Sequence, residues 1–527
     1  MHILVRLPPS YLARRQFARA HGCQPVAKSA NKDPFFGLDT IPATIRALRE
    51  NRIIARTPEF YRRFGNTHKV IGIVSKQITT IEPENIKTVL SLNFKDYRLG
   101  FRLPSFKPLL GEGIFDTDGD QWASSRALIR PSFTRDQVAD LTILEDLIQD
   151  LFALLPRDGK TVDLQKLFFQ YTIDSATEFL FGQSVGTLKK SQSESDRGFA
   201  EAFYNAQEAI LTRGIPFPLK LFFSHDEAKA EKYNQICRKF VQQFVDKAFQ
   251  AVELKKPETE KSDSDIKRPR HIFSHELAAR TTDRTRVLDE LMNVLLAGRD
   301  TTASLLSNLF FVLAKDPAIW AKLRREVAFL EGRPPTYSEL NNMKYVQCCM
   351  NECKIAPSCL ELLSAEYFKF ASSCILNLGR PVLTLPALRL HPVVPRNNRE
   401  AIRNTVLPLG GGQDGLSPVF VPKGTFVSYN VYAMHRRTDI YGPDAEVFRP
   451  ERWEDGKLQP RWGYLPFNGG PRICIGQRYA LTEVGYVLVR MSQEFRVLES
   501  RDPGPWEESR GLTVTSKNGT KVGLTAD

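Results

Sequence analysis

A chain of 527 residues with 42% hydrophobic and 10% aromatic content has enough apolar mass for a large core, which excludes a globally disordered chain. Its eight cysteines contain no CxxC and no CxxC…HxxxH spacing, which excludes a zinc finger and argues for a reducing compartment over a disulfide framework. The net charge of +13 comes with no nucleic-acid motif, so a solvated basic surface, or one that docks an acidic protein or an anionic membrane, is expected and no nucleic acid.

Residues 1–33 read as a basic arm carrying Arg14, Arg15 and Arg19. No run of about eighteen apolar residues occurs there or elsewhere, so no transmembrane helix is predicted, and the apolar opening is too short for a secretory signal. From residue 41 to 250 the pattern is mainly helical, with a strand-like stretch at 69–81. Trp122 and Arg126, four apart, share one helical face. Residues 253–271 are dense in charge and read as an exposed loop between helices. Leu288, Leu291, Met292, Leu295, Leu296, Leu305, Leu306, Leu309 and Phe310 recur at three- and four-residue spacing and predict a long helix over 284–315. Asp316-Pro317 starts the next helix, as N-cap and first helical residue. After residue 400, glycines and prolines separate short strands at 419–421 and 425–429. A helix returns at 477–494, followed by strand and tail. The fold class expected is mainly α with small β-sheets.

Two segments carry chemistry. Phe467-Asn468-Gly469-Gly470-Pro471-Arg472-Ile473-Cys474-Ile475-Gly476 places a cysteine just before the helix at 477, where backbone N–H groups and the helix dipole favour a thiolate. Glycines at 469, 470 and 476 let the backbone approach a flat group closely. Within the long helix, Ala297-Gly298-Arg299-Asp300-Thr301-Thr302 sets a residue without a side chain beside an acid and a hydroxyl. Those two can hold water and relay protons.

Together these segments, F-x-x-G-x-R-x-C-x-G and (A/G)-G-x-(D/E)-T-(T/S), resemble the haem-binding loop and oxygen-activating helix of the cytochrome P450 monooxygenases. The resemblance implies an α-helical haem domain plus a minor β-rich region, as one domain over 34–510, with 511–527 a C-terminal strand and tail. It implies haem b (iron protoporphyrin IX) bound through Cys474 as iron ligand, with Phe467 covering the thiolate. Arg472, Trp122, Arg126 and Arg399 would address the haem propionates, and Asp300 and Thr301 would be the catalytic pair. In Phe448-Arg449-Pro450-Glu451-Arg452-Trp453, Arg452 would join a buried ion-pair network with an E-x-x-R motif.

That E-x-x-R is interrupted. Asn351-Glu352 reads as its start and Ala387-Leu388-Arg389-Leu390-His391-Pro392 as its end, with residues 353–386 between. We read 353–386 as a retained intron. Cys353-Lys354 can be encoded T-GTAAG, a splice donor; Leu383-Thr384 can read CTNAC, a fungal-type branch point; Pro386-Ala387 can read CCA-G, an acceptor. Removal restores the frame and gives E-S-L-R. The alternative is a genuine insertion, which would sever one helix and separate an ion pair, leaving a buried partner alone at a cost of about 3–5 kcal/mol.

The stretch 407–424 (LPLGGGQDGLSPVFVPKG), the continuation Q-R-Y-A-L-T-E after the cysteine loop, and Gly111 to Trp122 together resemble the fungal alkane and fatty-acid ω-hydroxylase branch. That branch implies hydroxylation of a long aliphatic chain (a fatty acid, an alkane or the lipid tail of a secondary metabolite) with O₂. Electrons would come from NADPH through an NADPH-cytochrome reductase, at the cytosolic face of the endoplasmic reticulum membrane. Pocket segments are expected at 94–115, 200–225, 290–302 and 393–398. Members of the branch carry an N-terminal membrane helix, which is missing here, so a late start or a peripheral protein is expected. The interrupted motif leaves two alternatives: an inactive haem-fold or lipid-binding remnant, and a helical interaction protein without a cofactor.

Overall fold

The computed structural model describes residues 9–28, 33, 38–71, 76–100, 102–134, 139–190, 192–213, 226–254, 272–351, 388–509 and 511–526. The expected retained intron at 353–386, its neighbours Glu352 and Ala387, and residues 255–271 of the charged loop lie outside them.

Helices dominate, as the periodicity requires. The ones that matter for the site are α1 (Pro9–Ala20), α2 (Arg102–Leu110), α3 (Gly119–Ile129), α4 (Thr142–Phe152), α5 (Leu164–Phe181), α6 (Glu194–Arg213), α7 (Glu227–Leu254), α8 (Arg284–Leu313), α9 (Pro317–Val327), α10 (Lys344–Asn351) and α11 (Gln477–Glu494). Asp283 caps α8 by accepting from the Arg286 N–H, and Asp316 caps α9 through the N–H groups of Ala318 and Ile319 ahead of Pro317. The observed bounds of α8 and α11 agree with those read from the sequence to within two residues.

The strands are β1 (Ala27–Lys28), β2 (Thr67–Ile71), β3 (Lys76–Thr80), β4 (Tyr97–Arg98), β5 (Asp158–Asp163), β6 (Arg396–Ala401), β7 (Thr405–Gly411), β8 (Ser417–Val421), β9 (Phe426–Asn430), β10 (Phe495–Ser500) and β11 (Lys521–Ala526). They form a six-stranded sheet in the order β1-β2-β3-β9-β6-β4, a three-stranded sheet β10-β11-β5, and the β7-β8 pair. The strand-like stretch 69–81 is therefore two strands, antiparallel with Thr67 opposite Thr80.

The ends differ from expectation. Part of the N-terminal arm is the helix α1 and the strand β1, tied down where Gln24 N–H donates to the Pro418 carbonyl and where Phe17 packs on Phe420. The C-terminal stretch carries the expected strand, and β11 is the central strand of its sheet, paired with β10 on one side and β5 on the other. The boundary expected at 510 thus cuts through a folded unit. Among the described residues no helix is long and apolar enough to cross a membrane.

Helix α8 is the axis of the molecule. Its first half (Val287, Leu288, Leu291, Met292, Leu295, Leu296) is buried with residues of α5, α6 and α7. The second half (Leu305, Leu306, Leu309, Phe310, Leu313) is buried in another core with α4, α5, α9 and α11. The stretch 297–301 lies between the two.

Candidate active site

From Val287 to Phe311, only Val294, Ala297, Gly298 and Thr301 of α8 are not buried, and their spacing puts them on one helical face. An otherwise enclosed helix thus opens a strip at mid-length. The Thr301 hydroxyl stands on it and donates to the Ala297 carbonyl at 2.5 Å. Asp300 does not share that face. It is 4% exposed and held at 2.6 Å by Arg299, whose guanidinium lies 4.7 Å from the Phe169 ring centre and 6.0 Å from those of Phe203 and Tyr204 of α6. Burial raises the Asp300 pKa, against the pull of Arg299. The structure therefore brings Thr301 to the open strip and turns Asp300 toward α6.

Gly298 lies beside α5. A Cβ there would meet Ala176 of α5 at 3.8 Å, an ordinary contact, so the missing side chain leaves a notch between α5 and the open strip.

Cys474 lies on a turn closed by its own N–H, which donates to the Phe467 carbonyl at 3.0 Å. The side chain is exposed, yet protein surrounds it closely enough that burial raises the thiol pKa, opposed by the Gly476 N–H and the charge of Arg126. An accessible sulfur in crowded surroundings faces a space inside the protein. Ile475 packs on the core cluster that also holds Leu295 and Leu296 of α8. The glycines of the turn serve its packing against protein. Gly470, at φ +67°, would put a Cβ 1.9 Å from the Leu90 carbonyl oxygen, and a Cβ on Gly469 would strike Trp462 at 2.6 Å. Phe467 is half-buried against the core.

Four arginines gather around this turn. Arg126 of α3 donates to the Ile473 carbonyl at 3.0 Å. Arg472 donates to the Thr117 carbonyl and pairs with Asp118 at 2.7 Å, its guanidinium 4.5 Å from the Trp122 ring centre. Arg102 and Arg399 both donate to the Asn397 Oδ1. Burial, with the neighbouring arginines, pushes Arg102 down to about 10 and Arg472 to about 9. Among the described residues Asp118 is the one carboxylate paired within this group. Such a cluster calls for a further anion, and a thiol beside it calls for a soft metal. Haem, with an iron and two carboxylates, fits that donor set. Sequence reasoning missed Arg102 and Asp118; an isolated arginine after Phe101 carries no signal, whereas Asp118, four residues before Trp122, marks the start of the W-x-x-x-R helix.

The turn is also braced from behind. Arg389, fully buried, donates to the His435 carbonyl at 3.0 Å and the Val447 carbonyl at 2.9 Å, and also to the Ala445 carbonyl. Arg452 shares the Val447 carbonyl at 3.0 Å and reaches the Asp444 carboxylate at 3.1 Å. His435 Nε2 accepts the Leu465 N–H, so Nδ1 carries the proton and donates to the Arg389 carbonyl at 3.2 Å. Burial holds that imidazole neutral, with its pKa down to about 3. Arg389 is thus linked through His435 to a residue two before Phe467.

The turn 111–117 is strapped to α8 just ahead of the open strip by three acceptors in succession. Asp289 accepts the Glu112 N–H, Glu290 that of Ile114 and Asn293 that of Phe115, at 2.8–3.0 Å. Within it Asp116 is 2% exposed, and burial pushes its carboxyl up to about 7. The folded protein therefore keeps a proton that the unfolded chain releases near the ordinary aspartate value. The stability this contributes is full below that value and is lost as pH rises to about 7. Asp116→Asn removes the ionisation. Its thermal midpoint is expected to gain on the parent's between about pH 5 and pH 8, and melting curves at the two values check it.

The family profile Cytochrome P450 matches residues 45–353 and 387–522, passing over 354–386. Cytochrome P450 monooxygenase himC of Aspergillus japonicus is 45% identical over 506 residues, 95% of this chain and 84% of that protein. Cytochrome P450 monooxygenase fsdH of Fusarium heterosporum is 44% identical over 523 residues, 98% and 85% of the two chains. Cytochrome P450 52A3-A of Candida maltosa is 40% identical over 481 residues, 89% and 85%. With relatives this similar along nearly all of its length, and with a profile match on both sides of the interruption, the chain belongs to the cytochrome P450 monooxygenase family.

Proposed function

We propose that this protein binds haem b through Cys474 and hydroxylates a long aliphatic chain at or near its end, with electrons from NADPH delivered by an NADPH-cytochrome reductase. The observation that carries the reading is the pairing of an accessible thiol with an open strip on a buried helix, beside a cluster of arginines short of carboxylates. Haem bound by a thiolate supplies O₂ activation. The chain's own residues do the rest. Arg126 and the Gly476 N–H favour the charged form of Cys474. Arg102, Arg126, Arg399 and Arg472, with Trp122 stacked on Arg472, hold the haem carboxylates. Thr301, on the open strip, holds water where protons are needed, and Asp300 stands one residue away on the Arg299 pair.

The aliphatic substrate rests on the motif at 407–424 and on the relatives named cytochrome P450 52A. Placement at the cytosolic face of the endoplasmic reticulum rests on the same likeness and on α1, where half-exposed Tyr11 and Leu12 stand among Arg14, Arg15 and Arg19. That pattern suits the surface of an anionic membrane.

The reduced, CO-bound absorption spectrum tests the cofactor, and turnover with fatty acids and alkanes tests the substrate. A Soret band of thiolate-ligated ferrous haem and terminally hydroxylated product are expected. A haem without that band, or no product from any long-chain substrate supplied with a reductase and NADPH, overturns the corresponding part. The family match is interrupted at 354–386, and we read 353–386 as a retained intron; a transcript sequenced across the junction that exists only in the unspliced form would refute this.

A further inference from the structure

The two arginines that Asn397 joins reach it from distant parts of the chain. Arg399 stands two residues beyond Asn397 in β6, so both side chains leave the same face of that strand. Arg102 opens α2 and is brought alongside by β4, whose Tyr97 and Arg98 pair with Ala401 and Glu400 of β6. The Asn397 Oδ1 accepts from Arg102 Nη2 at 2.9 Å, from Arg399 Nη1 at 3.2 Å and from the Asn398 N–H at 2.9 Å. Of the two ends of the amide only the oxygen accepts from a guanidinium, which settles which way the side chain faces.

A neutral residue at this junction runs against the energetics of burial. Arg399 is 3% exposed, and a buried cation ordinarily takes a carboxylate. The chain does so close by: Arg98 pairs with Glu400 at 2.9 Å and Arg472 with Asp118 at 2.7 Å. Where two other arginines converge, Arg449 and Arg452, the single carboxylate of Asp444 takes both, at 2.8 Å and 3.1 Å. Among the described residues neither Arg102 nor Arg399 has such a partner. Their remaining contacts are the carbonyls of Phe115 and Asn398 and the rings of Phe115 and Tyr429. Burial, and then the charge of Arg399, lowers the Arg102 pKa, so the two cations lie close enough to repel. Aspartate has the shape of asparagine and would relieve that repulsion. With asparagine in its place, both charges stay uncompensated.

We propose that Asn397 is a positioning residue for haem binding: it holds Arg102 and Arg399 side by side through a neutral oxygen, so that both keep their charge for the haem carboxylates. The proposal rests on the haem-thiolate reading above. It makes the choice of amide over acid act in opposite senses on the two forms of the protein. Without haem, a carboxylate at 397 offsets the repulsion between the arginines and strengthens the hydrogen bonds that hold them. With haem, the same carboxylate competes for the two cations and repels the haem carboxylates. A residue that serves the fold alone shows no such reversal.

The experiment uses the full chain, with and without haem, as the parent, Asn397→Asp and the similarly shaped Asn397→Leu. It measures the thermal midpoints of the haem-free forms and the rates of haem release to excess apomyoglobin, for haem b and for haem with both carboxyls esterified. For Asn397→Asp the haem-free midpoint is expected at or above the parent's, while haem b leaves at least about tenfold faster, as for the loss of one hydrogen bond to a charged group. Asn397→Leu, which removes the acceptor, is expected to lower the midpoint and also to release haem b faster. Esterified haem should leave all three forms at one rate, faster than haem b leaves the parent. Release of haem b from Asn397→Asp at the parent's rate, or an equal acceleration for esterified haem, overturns the proposal. Should Asn397→Asp fail to fold, Asn397→Leu is judged by the same comparison of the two haems, and release of haem b at the parent's rate overturns the proposal there too. A parent that lacks the thiolate-type band, or that releases both haems equally fast, refutes the haem reading of the cluster instead.

Discussion

Cys474→Ala is expected to abolish monooxygenation and to remove the thiolate-type Soret band of the reduced CO complex, while leaving the polypeptide folded. The two effects separate because of where the side chain lies. Cys474 belongs to none of the hydrophobic cores, and the contact that closes its turn is made by its backbone N–H to Phe467, which alanine retains. The change to the haem-free protein should therefore stay within about 0.5 kcal/mol, as for a surface substitution. What alanine removes is the sulfur that receives the Gly476 N–H and faces Arg126. The four arginines remain, so a weakly held haem without the thiolate band is the expected residue of binding. Absorption spectra, product analysis and the thermal midpoint of the haem-free protein check the three parts. Persistence of the thiolate-type band in Cys474→Ala would assign the ligand to another residue.

The parts of this site that were legible in the sequence share one property: their signal is local. A ten-residue turn containing Cys474 and Arg472, and a helix whose apolar residues repeat every three or four, are each written in consecutive residues. The bounds of α8 and α11 followed directly. Pairings between distant segments were not legible. β3 and β9 lie parallel with Gln77 opposite Phe426, and nothing in either short run names the other. Arg102 meets Arg399 only because Asn397 accepts from both. Asp300 and Thr301 were read as a pair because they adjoin in sequence, but successive helical residues point about 100° apart. The glycines of the cysteine turn were legible as a close approach, but the protein atoms that Gly470 and Gly469 approach, those of Leu90 and Trp462, lie elsewhere in the chain.

Joining Glu352 directly to Ala387 is expected to raise both thermal stability and haem occupancy over the chain with 353–386 in place. The excised sequence continues α10, which otherwise reaches Asn351, into Glu352-Ala387-Leu388-Arg389. Glu352 then stands three positions before Arg389, on the same helical face. Arg389 already anchors the carbonyls of His435, Ala445 and Val447, and Arg452 grips the same segment from its other side through Val447 and Asp444. His435 passes that anchoring to Leu465, ahead of the cysteine turn. An uninterrupted helix therefore fixes the Arg389 guanidinium and the Glu352 carboxylate from one continuous backbone. Closing a loop of the length of 353–386 costs about 3 kcal/mol of chain entropy, so its removal is expected to raise the thermal midpoint by a few degrees. Haem occupancy should rise with it, because the same network positions the turn that carries Cys474. Melting curves and haem-to-protein ratios of the two forms, expressed side by side, measure both effects. Equal stability and equal occupancy would mean that the chain accommodates 353–386 without disturbing Arg389, and would favour a genuine insertion over a retained intron.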